Sequence, residues 1–429
     1  MIKISADHVI ALLADRRLCC WNDERIVCTV PKILVNDTVT LFGACSGTGI
    51  VSAVTDDGRF LWEYPDAEVM IDSSLAIMEP LGETDCSLIQ QLVAGNDSFV
   101  VQTAQKVCRL RLIRDPIVWS RYVSIERYVF EVCSEIDTVS YGAQHGFIKS
   151  VCGRLFSFGA NTYCERGIDH EDLAGEWVHE VAFEDIQGIQ EIHCGFEYTV
   201  ILMKNGQVFA CGKAHGHIEA DTPDRPYTPN PKSIFNKVVF DEGEIIVKVV
   251  AGRWRIIYIS DEGLCYYTDT ACMWNYSKTE PQTTKGLSPI KLLHVDRVED
   301  AFIVSNFIFI QYGEGKLLML HLLPEDEREM IDLPYMPPYL DPKYLEGDRM
   351  PTKLDFFDDK HVVAVSQGYG IIYFTTGMGQ VYYSSDHREM AKLNVERMHF
   401  FDDNPVAVVD RAHRIRSAGN TIRSLVLEC

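Results

Sequence analysis

Five stretches of this chain carry a glycine pair eleven residues apart with an apolar run between its members: Gly47/Gly58, Gly142/Gly153, Gly195/Gly206, Gly252/Gly263 and Gly368/Gly379. The stretch "CGFEYTVILMKNGQVFACG", 194–212, shows the grammar most fully: an apolar run, the turn Lys204-Asn205-Gly206, a second apolar run and a closing glycine. Asn-Gly adopts positive φ cheaply, so this reads as two antiparallel strands joined by a tight turn. Degenerate copies begin at Ala94 ("AGNDSFVVQTAQKVCRL") and at Val304 ("VSNFIFIQYGEGKLLML"). The anchors then recur at roughly 50 residues, a period that marks propellers and solenoids. Each copy supplies three strands and a polar connection with room for a fourth, which predicts an all-β chain of four-stranded β-propeller blades.

Weaker copies lie at both ends, "HVIALLADRRLCCW" (8–21) and "NPVAVVDRAHRIRSAGN" (404–420). A propeller hides its sheet edges by letting the two chain ends complete one shared blade, and that arrangement is expected here. Seven interior copies plus two terminal fragments give seven blades, or eight. The whole of 1–429 is read as one propeller carrying an insertion at 322–358.

The units "YGAQHGFIKSVCGRLFSFGANTYCERG" (141–167) and "CGFEYTVILMKNGQVFACGKAHG" (194–216) resemble the repeats of the regulator of chromosome condensation family. His145 stands where the family has its histidine, and Glu165-Arg166-Gly167 falls near the usual Gln-Leu-Gly. The histidine position is Ile50, Tyr198, Arg255 and Ile371 in other units. The resemblance implies the fold, a seven-bladed propeller in the family. Family members act as exchange factors for the small GTPase Ran, as domains of ubiquitin ligases and as interaction platforms, so the activity does not follow from the fold.

Charge narrows the partners. A formal net charge of −22 with pI about 5.0, and no basic tail, opposes the phosphate neutralisation that supplies most nucleic-acid affinity. The expected partner is therefore a protein, in a multi-subunit complex or as a small GTPase, with no direct nucleic-acid contact. Chromatin binding, which the family name suggests, would need a basic partner subunit. No apolar run approaches a membrane span, and the start of the chain is too short in apolar residues for a signal-peptide core. Fourteen scattered cysteines without a Cys-x-x-Cys argue against a zinc site and for a reducing, intracellular setting, cytoplasmic or nuclear. Cys108, Cys152, Cys211 and Cys265 sit in apolar runs and are expected to behave as small hydrophobes.

Three surfaces are candidates for binding. The loops after the first strand of each unit gather on one side of a propeller and would present Asn96, Asp97, Gln144, His145, Phe196, Glu197, Arg253, Trp254 and Tyr369; Phe196 and Trp254 tucked between blades is the alternative. A basic stretch, 109–130, concentrates Arg109, Arg111, Arg114, Arg121 and Arg127, either as a patch for an acidic partner or as local charge balance. The third is 322–358, with ten acids, four bases and six prolines. That proline density excludes regular ladder strands, while Tyr335, Tyr339 and Tyr344 supply docking anchors beyond what a solvated loop requires. A second proline-rich stretch, 219–233, reads as a rigid connector.

Catalytic signatures are weak. "GACSG" (43–47) puts Cys45 in the serine place of a nucleophile elbow, but a repeat strand follows where the elbow needs a helix. His215 and His217 lack further ligands at metal spacing, and "IDHEDLAGE" (168–176) reads as a solvated acidic segment. Neither a Walker loop nor a dinucleotide fingerprint is present, so no cofactor is implied. The chain is thus expected to be a non-enzymatic interaction scaffold or adaptor, the alternative being guanine nucleotide exchange on a Ran-like GTPase.

Overall fold

The computed structural model describes residues 38–45, 50–56, 60–63, 89–114, 121–132, 134–168, 178–212, 235–240, 243–269, 289–292, 297–304, 307–321, 352–354, 357–358, 360–368, 371–377 and 380–384. To these it adds short strands at 2–4, 8–12, 18–22, 27–29, 70–71, 77–78 and 423–426. Among the described residues the strands form eight sheets, seven of four strands and one of five. The fold is that of a β-propeller built from four-stranded antiparallel sheets.

The repeat grammar maps directly onto strands. In "CGFEYTVILMKNGQVFACG" the second and third strands are Tyr198–Met203 and Val208–Gly212, antiparallel with Leu202 opposite Val208. Within the turn only Gly206 is left-handed, at φ 78°, while Asn205 Oδ1 accepts from the Gln207 N–H. A Cβ on Gly206 would collide with Ile245 Cγ2, so this position excludes side chains by space as well as by conformation. The second glycine of the pair is left-handed again at Gly153 and Gly263.

The second strands Val51–Thr55, Ser98–Gln102, His145–Ser150, Tyr198–Met203 and Arg255–Ser260 are buried at every position. Alternation fails there because each sheet is covered on both faces, so the strand reads as a continuous run. First strands follow another rule. Ile189–Cys194, Ile246–Ala251 and Val298–Val304 are buried at their first and fourth positions. The register of each shifts between its first and third residues, as it does between Val39 and Leu41. A bulge inserts one residue, and buried positions come three apart instead of two.

Contacts divide the chain into two compact units: 1–144 with 150–152 and 366–429, and 145–149 with 153–365. In the first, Ile50, Val54 and Phe60 of one sheet pack with Leu92, Phe99, Val101, Cys108 and Leu110 of the next. In the second, three such layers follow one another. Phe147 and Leu155 meet Ile192 and Ile201; Tyr198, Val200 and Val208 meet Val249 and Tyr258; Ile257 and Tyr267 meet Ala301 and Ile308. A fully buried aliphatic side chain contributes about 1.5–3 kcal/mol, so these interlayers hold the sheets together.

Several expectations are corrected. The N-terminal segment holds a whole sheet, Ile2–Ile4, His8–Leu12, Leu18–Asn22 and Val27–Thr29, so it does not share a blade with the C-terminal end. Two short outer strands, too brief to stand out in the sequence, complete it. Residues 404–420 lie outside the described residues. Within 322–358, Thr352–Lys353 pairs with Met319 and Leu318 as a fourth strand, with Leu354 and Phe357 buried beyond it. Proline excludes ladder strands only where it stands, and Pro351 precedes this one. Cys45, Cys108, Cys211 and Cys265 are buried, but Cys152 sits exposed in the turn after Ser150.

Candidate functional site

Three of the loops after first strands are built the same way. The N–H groups of Gly95, Gly195 and Gly252 donate to the carbonyls three residues on, of Ser98, Tyr198 and Arg255, each at 2.8 Å. The following residue then reaches the neighbouring sheet: the Asn96 N–H donates to Ala143 O at 3.0 Å, and the Phe196 N–H to Arg253 O at 3.2 Å. A Cβ on Gly95 would stand 2.5 Å from the Tyr141 ring and 2.8 Å from Gly142 O, so the close approach of these loops requires glycine.

In three units the position three residues after the glycine ties consecutive sheets, through Ser98, His145 or Tyr198. Ser98 Oγ lies 2.6 Å from the Tyr141 hydroxyl, which also accepts from Arg109 Nε at 3.0 Å. His145 Nε2 lies 2.8 Å from Thr199 Oγ1, and that hydroxyl donates to Glu165 O at 2.8 Å. The Tyr198 hydroxyl lies 2.6 Å from Gly252 O and 3.1 Å from Arg255 O. Sequence reasoning singled out the histidine position but not these partners. The signal was present in Tyr141, which immediately precedes Gly142.

His145 is therefore not a surface residue, as expected above, but wholly buried. Burial, with the Arg166 guanidinium second, holds its pKa down at about 3, so the ring is neutral. Nε2–H donates to Thr199, while Nδ1 has no hydrogen-bond partner. Arg166 is buried too and donates to Gly159 O and Ser157 O at 3.2 and 3.0 Å. Glu165 accepts from the Tyr163 N–H at 2.6 Å, and burial raises its pKa. The Glu165-Arg166-Gly167 turn thus plugs the end of its sheet. Burial likewise pushes the Cys108 and Cys265 thiols up to about 12 and Cys211 well above its ordinary value, which removes thiolate chemistry at neutral pH. Cys45 donates to Ser98 O at 3.4 Å from a buried strand end, far from an elbow geometry. Among the described residues no three or more His, Cys, Asp or Glu side chains could hold a metal ion.

What reaches the surface is a smaller set. Phe196 and Trp254 are half-buried with ring centroids 4.5 Å apart, and the exposed Arg253 guanidinium carbon lies 4.6 Å over Phe196 and 5.5 Å over Trp254. Both alternatives for these rings are met in part, since they bridge two sheets and still show a face to solvent. Asn96, Asp97, Gln144 and Glu197 are half-buried.

Asp97 and Arg111 come from two surfaces read separately in the sequence, yet Arg111 Nε donates to Asp97 Oδ2 at 3.3 Å. The other side of Arg111 faces Glu126, its cross-strand neighbour, at 3.8 Å. Arg109 is buried, so the basic stretch is not one patch. Arg114 and Arg121 lie on the strands Lys106–Arg114 and Arg121–Glu131, opposite Tyr122 and Met70. Tyr335, Tyr339, Tyr344 and Tyr369, with His215 and His217, fall outside the described residues.

The variable segments share one origin. Among the described residues the last residue of the third strand stands opposite the first of the second strand in six sheets, among them His145 and Gly159, Tyr198 and Gly212, Arg255 and Asp269, and Phe307 and His321. The connections 160–178, 213–235, 270–289 and 322–351 all leave from that end, beside the first-strand loop. Both proline-rich stretches are such connections.

No known family profile matches the chain. It is 25% identical over 155 residues to the human "Probable E3 ubiquitin-protein ligase HERC3", covering 36% of this chain and 14% of that protein. It is 32% identical over 79 residues to the Bos taurus "Secretion-regulating guanine nucleotide exchange factor", covering 18% and 16%. The chain therefore matches only a small fraction of the length of these relatives. Among solved structures, Prp20p from Saccharomyces cerevisiae, described with its binding properties to Gsp1p and histones, aligns with TM-score 0.50 and 11% identity over 97% of this chain and 96% of that one. That likeness shows the fold. Together with the repeat grammar, these matches make the chain similar to divergent repeat proteins of the regulator of chromosome condensation type.

Proposed function

We propose that this protein is a non-enzymatic interaction scaffold whose binding surface is the end of the sheets where the glycine loops and the third-to-fourth connections emerge together. The observation that carries the reading is this shared origin within the second unit: the backbone-tied loops bearing Phe196, Arg253 and Trp254 lie at the sheet ends from which the third-to-fourth connections leave. Loops fixed by the sheets lose little entropy on association, and half-exposed aromatics with arginine supply anchors. The partners in this reading are proteins, in a multi-subunit assembly inside the cell.

The alternative is guanine nucleotide exchange on a Ran-like GTPase, favoured by the match to the secretion-regulating exchange factor. The two readings separate in one experiment. Tagged protein is isolated from its native cells, and stoichiometric partners are identified by mass spectrometry for the parent, for Trp254→Ala, and for a form with residues 322–350 replaced by a Gly/Ser linker. The replacement stops at 350 so that the strand Thr352–Lys353 is kept. Recovery of an assembly that either variant depletes supports the scaffold. A nucleotide-free GTPase, with accelerated nucleotide release on addition of the protein, moves the assignment to exchange. Undiminished assembly in both variants removes this surface as the binding site.

A further inference from the structure

We propose that Phe196 and Trp254 form a seat for a guanidinium cation, filled in the isolated protein by Arg253 and taken over on binding by an arginine side chain of a basic partner segment. The inference rests on the scaffold reading and names the partner chemistry for one part of that surface.

The geometry is that of a cation site with its own occupant. The Arg253 guanidinium carbon is within reach of both ring faces, at 4.6 and 5.5 Å, inside the roughly 6 Å over which a cation is attracted to an aromatic quadrupole. The backbones that carry the rings are held independently of Arg253's side chain. The Phe196 N–H is bound to Arg253 O, and the Tyr198 hydroxyl to Gly252 O, so the backbones on both sides of the seat are fixed before any ligand arrives. Arg253 itself is exposed while the rings are half-buried. The occupant is thus the movable part and the seat the rigid part.

Charge selects the incoming group. The protein carries a formal −22, and Glu197 adjoins Phe196 in the same loop, so an acidic segment is repelled at long range and a basic one drawn in. An incoming guanidinium replaces a chemically identical one over the rings, so the stacking energy is conserved in the exchange. Arg253, once released, regains rotamer freedom that it loses while stacked. The competing design, in which Arg253 grips a partner carboxylate, predicts the opposite response to removing Arg253.

The test uses the full chain and a fluorescein-labelled peptide of alternating glycine and arginine, with citrulline and aspartate counterparts, read by fluorescence anisotropy at physiological salt. Arg253→Ala empties the seat and is expected to tighten binding of the arginine peptide about 3- to 10-fold, with no change for the citrulline peptide. Trp254→Ala is expected to weaken it by a similar factor. Unchanged or weaker arginine-peptide binding by Arg253→Ala overturns the seat, as does an aspartate peptide that binds the parent and is lost in Arg253→Ala. Because Arg253 is exposed, thermal unfolding of that variant is expected to match the parent, which keeps the result free of misfolding. The scaffold reading is judged separately, by whether Trp254→Ala loses partners from native cells.

Discussion

The hydroxyl of Tyr198 lies 2.6 Å from the carbonyl oxygen of Gly252, joining two sheets from residues 54 apart in the chain. It also lies 3.1 Å from Arg255 O, so one buried group serves the loop of the next sheet from both ends. Tyr198→Phe keeps the ring and removes the tie. A loss of roughly 1–2 kcal/mol is expected in denaturant unfolding, the worth of the lost bond to Gly252 O, since Arg255 O keeps the Gly252 N–H. An unchanged midpoint would mean the two sheets are held by apolar packing alone.

His145 makes stability depend on pH in a known direction. Its folded pKa of about 3 lies below the ordinary 6.5, so the unfolded chain binds a proton that the folded protein refuses. Its contribution is whole above pH 6.5 and declines as pH falls toward 3, with a slope approaching about 1.4 kcal/mol per pH unit. His145→Gln should show a shallower fall than the parent across this window in parallel urea titrations. Parallel curves would contradict the neutral buried assignment.

Two neighbouring arginines should differ widely. Arg109 is buried against the Tyr141 hydroxyl, and Arg109→Ala removes a buried charged hydrogen bond to that group, at about 1.5–3 kcal/mol. Arg111 pairs with Asp97 half in solvent, so Arg111→Ala should cost about 0–1 kcal/mol, less at high salt. Comparable losses in calorimetry would show that Arg111 is more enclosed than its exposure indicates.

Gly206→Ala places a Cβ at φ 78° and against Ile245 and the Ile246 backbone. Left-handed strain alone is about 1–2 kcal/mol, and the contact adds to it. The thermal midpoint should fall clearly, while Asn205→Ala, which removes only the local bond to Gln207, should lower it far less.

Alkylation should sort the cysteines by burial. Site-resolved mass spectrometry after brief iodoacetamide treatment of the native protein is expected to find Cys152 modified and Cys108, Cys211 and Cys265 protected. Rapid modification of Cys211 would indicate that its sheet opens locally.

Much of this was legible in the chain. The eleven-residue glycine spacing located the hairpins, because left-handed φ and close backbone approach are demands that one residue type meets best. Gly206 does so by conformation and space, and Gly195 by space. The Asn-Gly turn was legible too, although only its glycine proved left-handed. The N-terminal sheet escaped notice because its outer strands are three residues each, below the length at which periodicity speaks. First-strand burial was not legible for a different reason, since a bulge turns a period of two into buried positions three apart.

The sequence by itself determined the repeat, its strands and the places where variable segments leave them, because these depend on residues within a dozen positions of one another. Only the tertiary structure decided which side of each loop is surface. His145 and Arg109 look like exposed polar residues on local pattern, and Asp97 and Arg111 look like parts of different surfaces. Each is placed by the meeting of sheets or strands that sequence spacing does not reveal: Thr199 over His145, Tyr141 over Arg109, and strand pairing that sets Ser98 beside Arg111. Burial in a stack of sheets is set by the neighbour on each face, and that neighbour is chosen by packing, not by local chain propensity.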